Sequence, residues 1–270
     1  MEWRIARIFN LSEEKQWEGG FCAFGFHGPD GTQYMLQWSQ DWLGCLLPGG
    51  QFAWTAGAVD RGLSETHIPF PVRHPHYITE LPDQSLLVSS NGTNGIFRLR
   101  PAERAVELSA DTGRLGLVDV GNCVYDGGGS IWVHKIEGCR VWRLGLDGGI
   151  ASVLGDGRPG FQPGTVPFEA ARFSWIYDLR LGPDGTLYVL DSRNFSVRRI
   201  DLRARTVTTV VGTGRPGYSG DGGPTLDATW AATRTSTSTG RSPCPSTRTR
   251  TCSSGTPRTT SSGWSSERPD

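Results

Sequence analysis

The feature that most constrains this chain is a pattern that recurs four times along it. Each copy holds a short apolar run, a turn of the Pro-Asp-Gly kind, a second apolar run, a polar break and a third run. The clearest copy spans 175–211, reading WIYDLRL, GPDG, TLYVLDS, RNF, SVRRIDL and RARTVTTVV. Leu179 and Leu181 alternate with polar neighbours, as do Leu187 and Val189, which predicts half-buried strands. Asp184-Gly185 supplies the tight turn, because glycine accepts positive φ. An earlier copy runs from Gly121 to Leu154 around Asp126-Gly127-Gly128-Gly129. Another runs from His76 to Leu108 around Leu81-Pro82-Asp83-Gln84. The first runs from Phe21 to Trp54 around Gly28-Pro29-Asp30-Gly31.

The turns at Asp30, Asp83, Gly128 and Gly185 are 53, 45 and 57 residues apart. Four strands at such a period is the size of a propeller blade. A lone four-stranded blade cannot cover both of its faces, whereas blades stacked around an axis cover each other. The expected fold is therefore all-β: a β-propeller of four-stranded antiparallel blades, with about four blades of a six-bladed type present. A longer echo supports the period. Residues 153–161, VLGDGRPGF, match 210–218, VVGTGRPGY, at an offset of 57.

The run PDGTLYVLDSRNFSVRRID followed by VVGTGRPGYSGDGGPTLDA resembles the NHL repeat family. In that pattern a strand and an Asp-Gly turn lead into a strand ending in Asp, then an Asn-containing bend, then a strand with Val-Arg-Arg. Asp191, Asn194, Val197 and Arg198 match it. The resemblance is closest over about 171–229 and fades toward 20–115, where only the strand rhythm remains. Lys135 stands where the fourth copy has Asp191, and Ser89-Ser90 stand there in the second, so the early blades depart from the pattern.

At 231–270 the rhythm stops. This stretch has no Leu, Val, Ile, Phe, Tyr or Met, and 26 of its 40 residues are Ser, Thr or Arg. Such a composition cannot build a buried face, so a disordered or non-native tail is expected. The chain has only two lysines, Lys15 and Lys135, against 25 arginines, which suggests a GC-rich gene. Permitted codons for residues 234–240, read two bases along, encode Asp-Phe-Asp-Phe-Asp-Gly. Extended both ways, that frame yields another NHL-like blade, so a reading-frame shift is the expected origin of the tail. The organisation expected is 1–20 as an N-terminal segment able to supply a closing strand, 21–230 as blades, and 231–270 as the tail.

Composition excludes some functions. Net formal charge is zero, against nucleic-acid binding, which needs an excess of Lys and Arg on one face. No run of eighteen apolar residues exists, so no membrane span is expected. The N-terminus lacks a long apolar h-region, so the cytoplasm is the expected compartment. Of the six cysteines none forms a Cys-x-x-Cys pair, against zinc and dithiol motifs. Cys22, Cys45, Cys123 and Cys139 are expected as buried free thiols.

His74 and His76 form an His-x-His pair. On a strand both would point the same way, so they are candidate ligands for a divalent metal, with His134 or Asp191 completing the set. Arg73 beside them opposes a cation site. Asp191 with Asn194 reads either as a carboxylate–amide pair or as a bend held by side-chain bonds to the backbone, and the second is expected. The glycine-rich runs 155–160 and 212–223 lack Gly-Lys-Ser/Thr and are expected as inter-blade loops, with Arg158 and Arg215 as candidate partner-facing residues. Trp175 is the candidate aromatic anchor, since Trp is enriched at binding hot spots. No Gly-x-Ser-x-Gly elbow is present, and no catalytic or cofactor-binding residue is assigned.

The NHL resemblance implies a binding or scaffold protein without catalysis, whose partner is a protein, a peptide or a small molecule. Two alternatives remain open. One is a metal-dependent lactonase- or lyase-like six-bladed enzyme, and the other is a truncated product without function.

Overall fold

A computed structural model describes residues 22–27 and 31–230. The expectations for 1–20 and 231–270 lie outside the described residues. The four repeats fold as four sheets, each built on four antiparallel strands in up-and-down order, and two of them carry a fifth short strand. Blade 1 contains β1 (Cys22–His27), β2 (Gln33–Gln37), β3 (Trp42–Leu46), β4 (Phe52–Gly57) and a short β5 (His67–Pro69). Blade 2 contains β6 (Pro75–Glu80), β7 (Leu86–Ser90), β8 (Gly95–Arg100) and β9 (Ala105–Asp111). Blade 3 contains β10 (Val120–Tyr125), β11 (Ser130–Lys135), β12 (Val141–Gly145) and β13 (Ile150–Leu154). Blade 4 contains β14 (Thr165–Pro167), β15 (Ile176–Leu181), β16 (Leu187–Asp191), β17 (Ser196–Asp201) and β18 (Thr206–Val211). The fold is the expected one: all-β, four blades of a β-propeller. The sequence reading missed β5 and β14. Each adds three residues to the outer edge of its blade, β5 parallel to β4 and β14 antiparallel to β18.

Successive blades meet along their first strands: β1 touches β6, β6 touches β10, and β10 touches β15. These strands form the inner wall of the arc. Every one of them carries a register break, after Ala23, Pro75, Val120 and Ile176. A bulge adds local twist and re-aims the side chains beside it.

The turns follow a common plan. In the clearest one, Gly182 N–H donates to Thr186 O at 2.8 Å, Gly185 adopts φ 73°, and Asp184 Oδ1 accepts from Thr186 N–H at 3.0 Å. Gly129 and Gln84 take the same left-handed place, at φ 86° and 64°. Gln84 does so without glycine's freedom.

Apolar packing lies between the blades. One cluster joins blades 1 and 2 through Leu36, Leu43, Phe70, Ile78, Leu86 and Val88. A larger one runs from Leu87 and Ile96 of blade 2 through Ile131 and Val133 to Leu179, Leu187 and Val207 of blade 4. Cys45 and Cys123 are buried free thiols as expected. Cys139 corrects the expectation, because it is disulfide-bonded.

Candidate functional site

The bulges set three polar side chains at one level of the inner wall. Tyr77, Asn122 and Asp178 occupy equivalent places, each preceding the residue that pairs with Val88, Val133 or Val189 of the next strand. The Asn122 amide donates to Asp178 Oδ1 and, at 3.2 Å, to Leu179 O. Asp178 Oδ2 accepts from Arg180 Nε at 3.0 Å, and Arg180 Nη1 donates to Tyr77 Oη at 2.8 Å. The guanidinium also lies 5.0 Å from the centre of the Tyr77 ring. One connected path of polar contacts thus crosses blades 2, 3 and 4. Ser89 Oγ donates to Gly121 O at 2.7 Å and Thr79 Oγ1 to Cys123 O at 2.5 Å, tying blade 2 to β10 a second time.

Burial sets the protonation of this wall. It pushes the Tyr77 phenol up to about 12, against the nearby Arg180 charge, so the hydroxyl keeps its proton. Burial lowers His76 below its ordinary value, opposed by the Asp178 carboxylate. Where the wall ends, Tyr77, Thr79, Glu80, Tyr125, Arg180 and Tyr34 of blade 1 border a cleft of about 350 Å³. The side chain of Arg180 is 47% exposed there. The cleft therefore offers aromatic edges, a guanidinium and a carboxylate, a set suited to recognising a ligand with both apolar and polar groups.

The candidates chosen from the sequence have other surroundings. His74 is not on a strand. It precedes β6 at φ 49°, its N–H donates to Asp41 Oδ1 at 2.7 Å, and its ring stacks on Trp38 at 4.3 Å. The same-face rule for i and i+2 therefore does not apply to it. His134 is fully buried. Its Nε2 accepts from Asn122 N–H at 3.2 Å, so Nδ1 carries the proton and donates to Lys135 O at 3.1 Å. Both nitrogens are spent, and burial lowers its pKa to about 4. Gly121 makes room for this ring, since a Cβ there would lie 2.4 Å from His134 Cε1.

Asp191 is also fully buried. Its Oδ1 accepts from Ser174 N–H at 2.7 Å and its Oδ2 from Asn194 Nδ2 at 2.8 Å. Asn194 Nδ2 also donates to Gly160 O at 2.7 Å. These bonds lock the 3-10 turn Ser192–Asn194 and the inter-blade loop onto blade 4. Burial raises the Asp191 pKa to about 7, opposed by these donors and by Arg198, whose Nη1 lies 3.6 Å from Oδ2. Arg158 and Arg215 are exposed, and Asp156 Oδ1 accepts from Arg158 N–H at 2.7 Å. Trp175 is half-buried at φ 62°, with the Arg193 guanidinium 4.0 Å above its ring. One face of the expected anchor is thus already covered. Among the described residues no three or more His, Cys, Asp and Glu side chains group to hold a metal ion.

Tyr77, Asn122, Asp178 and Arg180 escaped the sequence reading. They are four different residue types, so no motif links them. Aligning the first strands of the repeats on their bulges would have placed three of them in one column.

This geometry defines a β-propeller. Its fold is similar to a Bacteroides thetaiotaomicron protein of unknown function, at 16% identity and a TM-score of 0.62, covering 79% of this chain and 53% of that one. It is similar to an auxiliary nutrient binding protein from Bacteroides ovatus, at 14% identity and a TM-score of 0.52, covering 73% and 49%. Virginiamycin B lyase from Staphylococcus aureus aligns at 17% identity and a TM-score of 0.48, covering 70% and 55%. The chain spans about half the length of these structures. No protein-family model matches the chain, and no curated protein matches it. Among the described residues no helix is long and apolar enough to cross a membrane.

Proposed function

We propose that this chain is a ligand-binding propeller of the NHL type, with its site in the cleft at the end of the inner wall. The observation carrying this reading is how the polar groups are divided. The buried His134 and Asp191 have their ring nitrogens and carboxylate oxygens engaged internally, so neither offers a base or a metal ligand to solvent. Tyr77, Arg180 and Glu80 instead border an open cleft. That arrangement favours recognition over acid–base or metal chemistry. A thermal-shift screen of free amino acids, dipeptides and small sugars tests it. At least one class should raise the melting temperature of the wild-type chain and leave Arg180→Ala unmoved. Stoichiometric divalent metal, with a turnover that chelation abolishes, would replace this reading with the lactonase- or lyase-like one.

The NHL assignment rests on Asp191, Asn194, Val197 and Arg198, three of which meet around one bend. We also propose that residues 231–270 are encoded out of frame. The coding DNA tests that directly: an alternative frame must continue the repeat beyond about codon 230, and one interrupted by stops would sink the idea.

A further inference from the structure

The repeat creates one kind of groove more than once, between a blade and the turn joining the third and fourth strands of its neighbour. Between blades 3 and 4 this groove has a volume of about 350 Å³. It is lined by Trp132, Arg143 and Ser152 on one side and by Phe168, Leu202, Arg203 and Arg205 on the other. Between blades 1 and 2 it has a volume of about 520 Å³. The strand registers align the two. Trp132 pairs with Arg143, and Arg143 with Ser152, as Tyr34 pairs with Cys45 and Cys45 with Trp54. The turns align as well: Arg104 and Arg205 both close them in the left-handed region, at φ 52° and 54°. Ala102 then stands where Arg203 does, and Cys45 where Arg143 does. The blade 1–2 groove carries Glu80, Asp83 and Glu103 against Arg100. Between blades 2 and 3 the facing turn packs closely, with Ser109 Oγ donating to Leu146 O at 2.8 Å.

The scaffold therefore does not demand three arginines in this place. Two of those in the blade 3–4 groove are also braced. Arg143 lies 5.8 Å from the Trp132 ring centre and donates Nε and Nη2 to Asp126 Oδ2, leaving Nη1 uncommitted. Arg205 lies 4.9 Å from the Phe168 ring centre and pairs with the exposed Glu169. Among the described residues Arg203 has no ion-pair partner. The groove lining thus holds three guanidiniums and the Ser152 hydroxyl but no carboxylate. Around it Asp126 is engaged by Arg143, Glu169 by Arg205, and Asp201 Oδ1 accepts from the Arg203 and Ala204 N–H groups at 3.1 and 2.8 Å. Guanidiniums held on aromatic faces lose little freedom when they bind an oxyanion.

We propose that the groove between blades 3 and 4 is a binding site for an oxyanion, a phosphate or sulfate group held by Arg143, Arg203 and Arg205. This site is separate from the cleft at the inner wall, so its failure leaves the proposed function untouched, and Arg180→Ala should not affect it. The test is calorimetric titration of the full chain with phenyl phosphate and with inorganic phosphate. Arg203→Ala should weaken binding about tenfold, the loss of one charge-assisted contact. Binding should also fall with added salt. Arg104→Ala, at the matching place between blades 1 and 2, should bind as wild type does. Tighter binding of phenyl phosphate than of inorganic phosphate would assign the apolar floor to the ligand's body. Equal binding would assign the site to the oxyanion alone, and both results support it. No binding of either probe at about 10 mM, or equal affinity in wild type and Arg203→Ala, overturns the proposal.

Discussion

Blades 2 and 4 share a strand plan but differ in how their second strands are covered. In blade 2, β7 is buried along its whole length. Leu86 and Val88 pack toward blade 1, while Leu87 packs toward blade 3. In blade 4, β16 alternates: Leu187, Val189 and Asp191 are buried, while Tyr188 and Leu190 are half-buried. Clean alternation in the sequence therefore marks a blade whose second face is less covered. A continuous apolar run marks one held between neighbours. The copy most legible as a repeat is the one with the less covered face.

The strongest way to break the comparison is at the bend after each of these strands. Asp191 and Ser90 occupy the same place. Asp191 satisfies Ser174 N–H and Asn194, whereas Ser90 bonds only around Arg73 and Thr93. Asp191→Ala strands buried donors and should cost about 2–5 kcal/mol at pH 8 by urea unfolding, against about 1 kcal/mol for Ser90→Ala. Equal losses would mean that the bend is held by the backbone alone.

Next in size is the covered-face effect. Leu87→Ala should cost about 2–5 kcal/mol, and Leu190→Ala about 1 kcal/mol, because the half-buried site leaves a smaller cavity and loses less transfer energy. If Leu190→Ala matched Leu87→Ala, the outer face of blade 4 would be as fully packed as blade 2.

A further effect is on pH dependence, where two buried groups act in opposite senses. Asp191 keeps its proton up to about pH 7 when folded, while an unfolded aspartate loses it near 3.9. The folded state then binds more protons between those values, and this contribution to stability is lost as pH rises from about 4 to 7. His134, lowered to about 4 when folded, acts in the opposite sense, losing stability as pH falls from about 6.5 to 4. Melting curves should show Asp191→Asn gaining on wild type as pH rises through this window. A constant difference would show that Asp191 is already ionised at pH 4.

Much of the fold was legible. Asp184-Gly185 marked the turn between β15 and β16, and the copies starting near Phe21, His76 and Gly121 marked the other three blades. The outer strands β5 and β14 were not legible, because three residues carry no periodicity and their only signal is an unpaired edge nearby. The candidate site was largely illegible. His74 and His76 looked paired because strand geometry was assumed for both, but the chain turns left-handed at His74 before β6 begins. Tyr77, Asn122 and Asp178 are 45 and 56 residues apart and share no chemistry, so only the bulges make them neighbours.

The sequence by itself determined the four blades among the described residues, the strand rhythm and most of the turns. These depend on which residues alternate and where glycine or Asp relieves the backbone, and both are local properties. The tertiary structure alone decided which polar side chains meet. Contacts between blades depend on how each bulge aims a residue at its neighbour, and chain order does not encode that angle. It also decided the fate of His134 and Asp191, whose place inside closed hydrogen-bond sets follows from what packs over them.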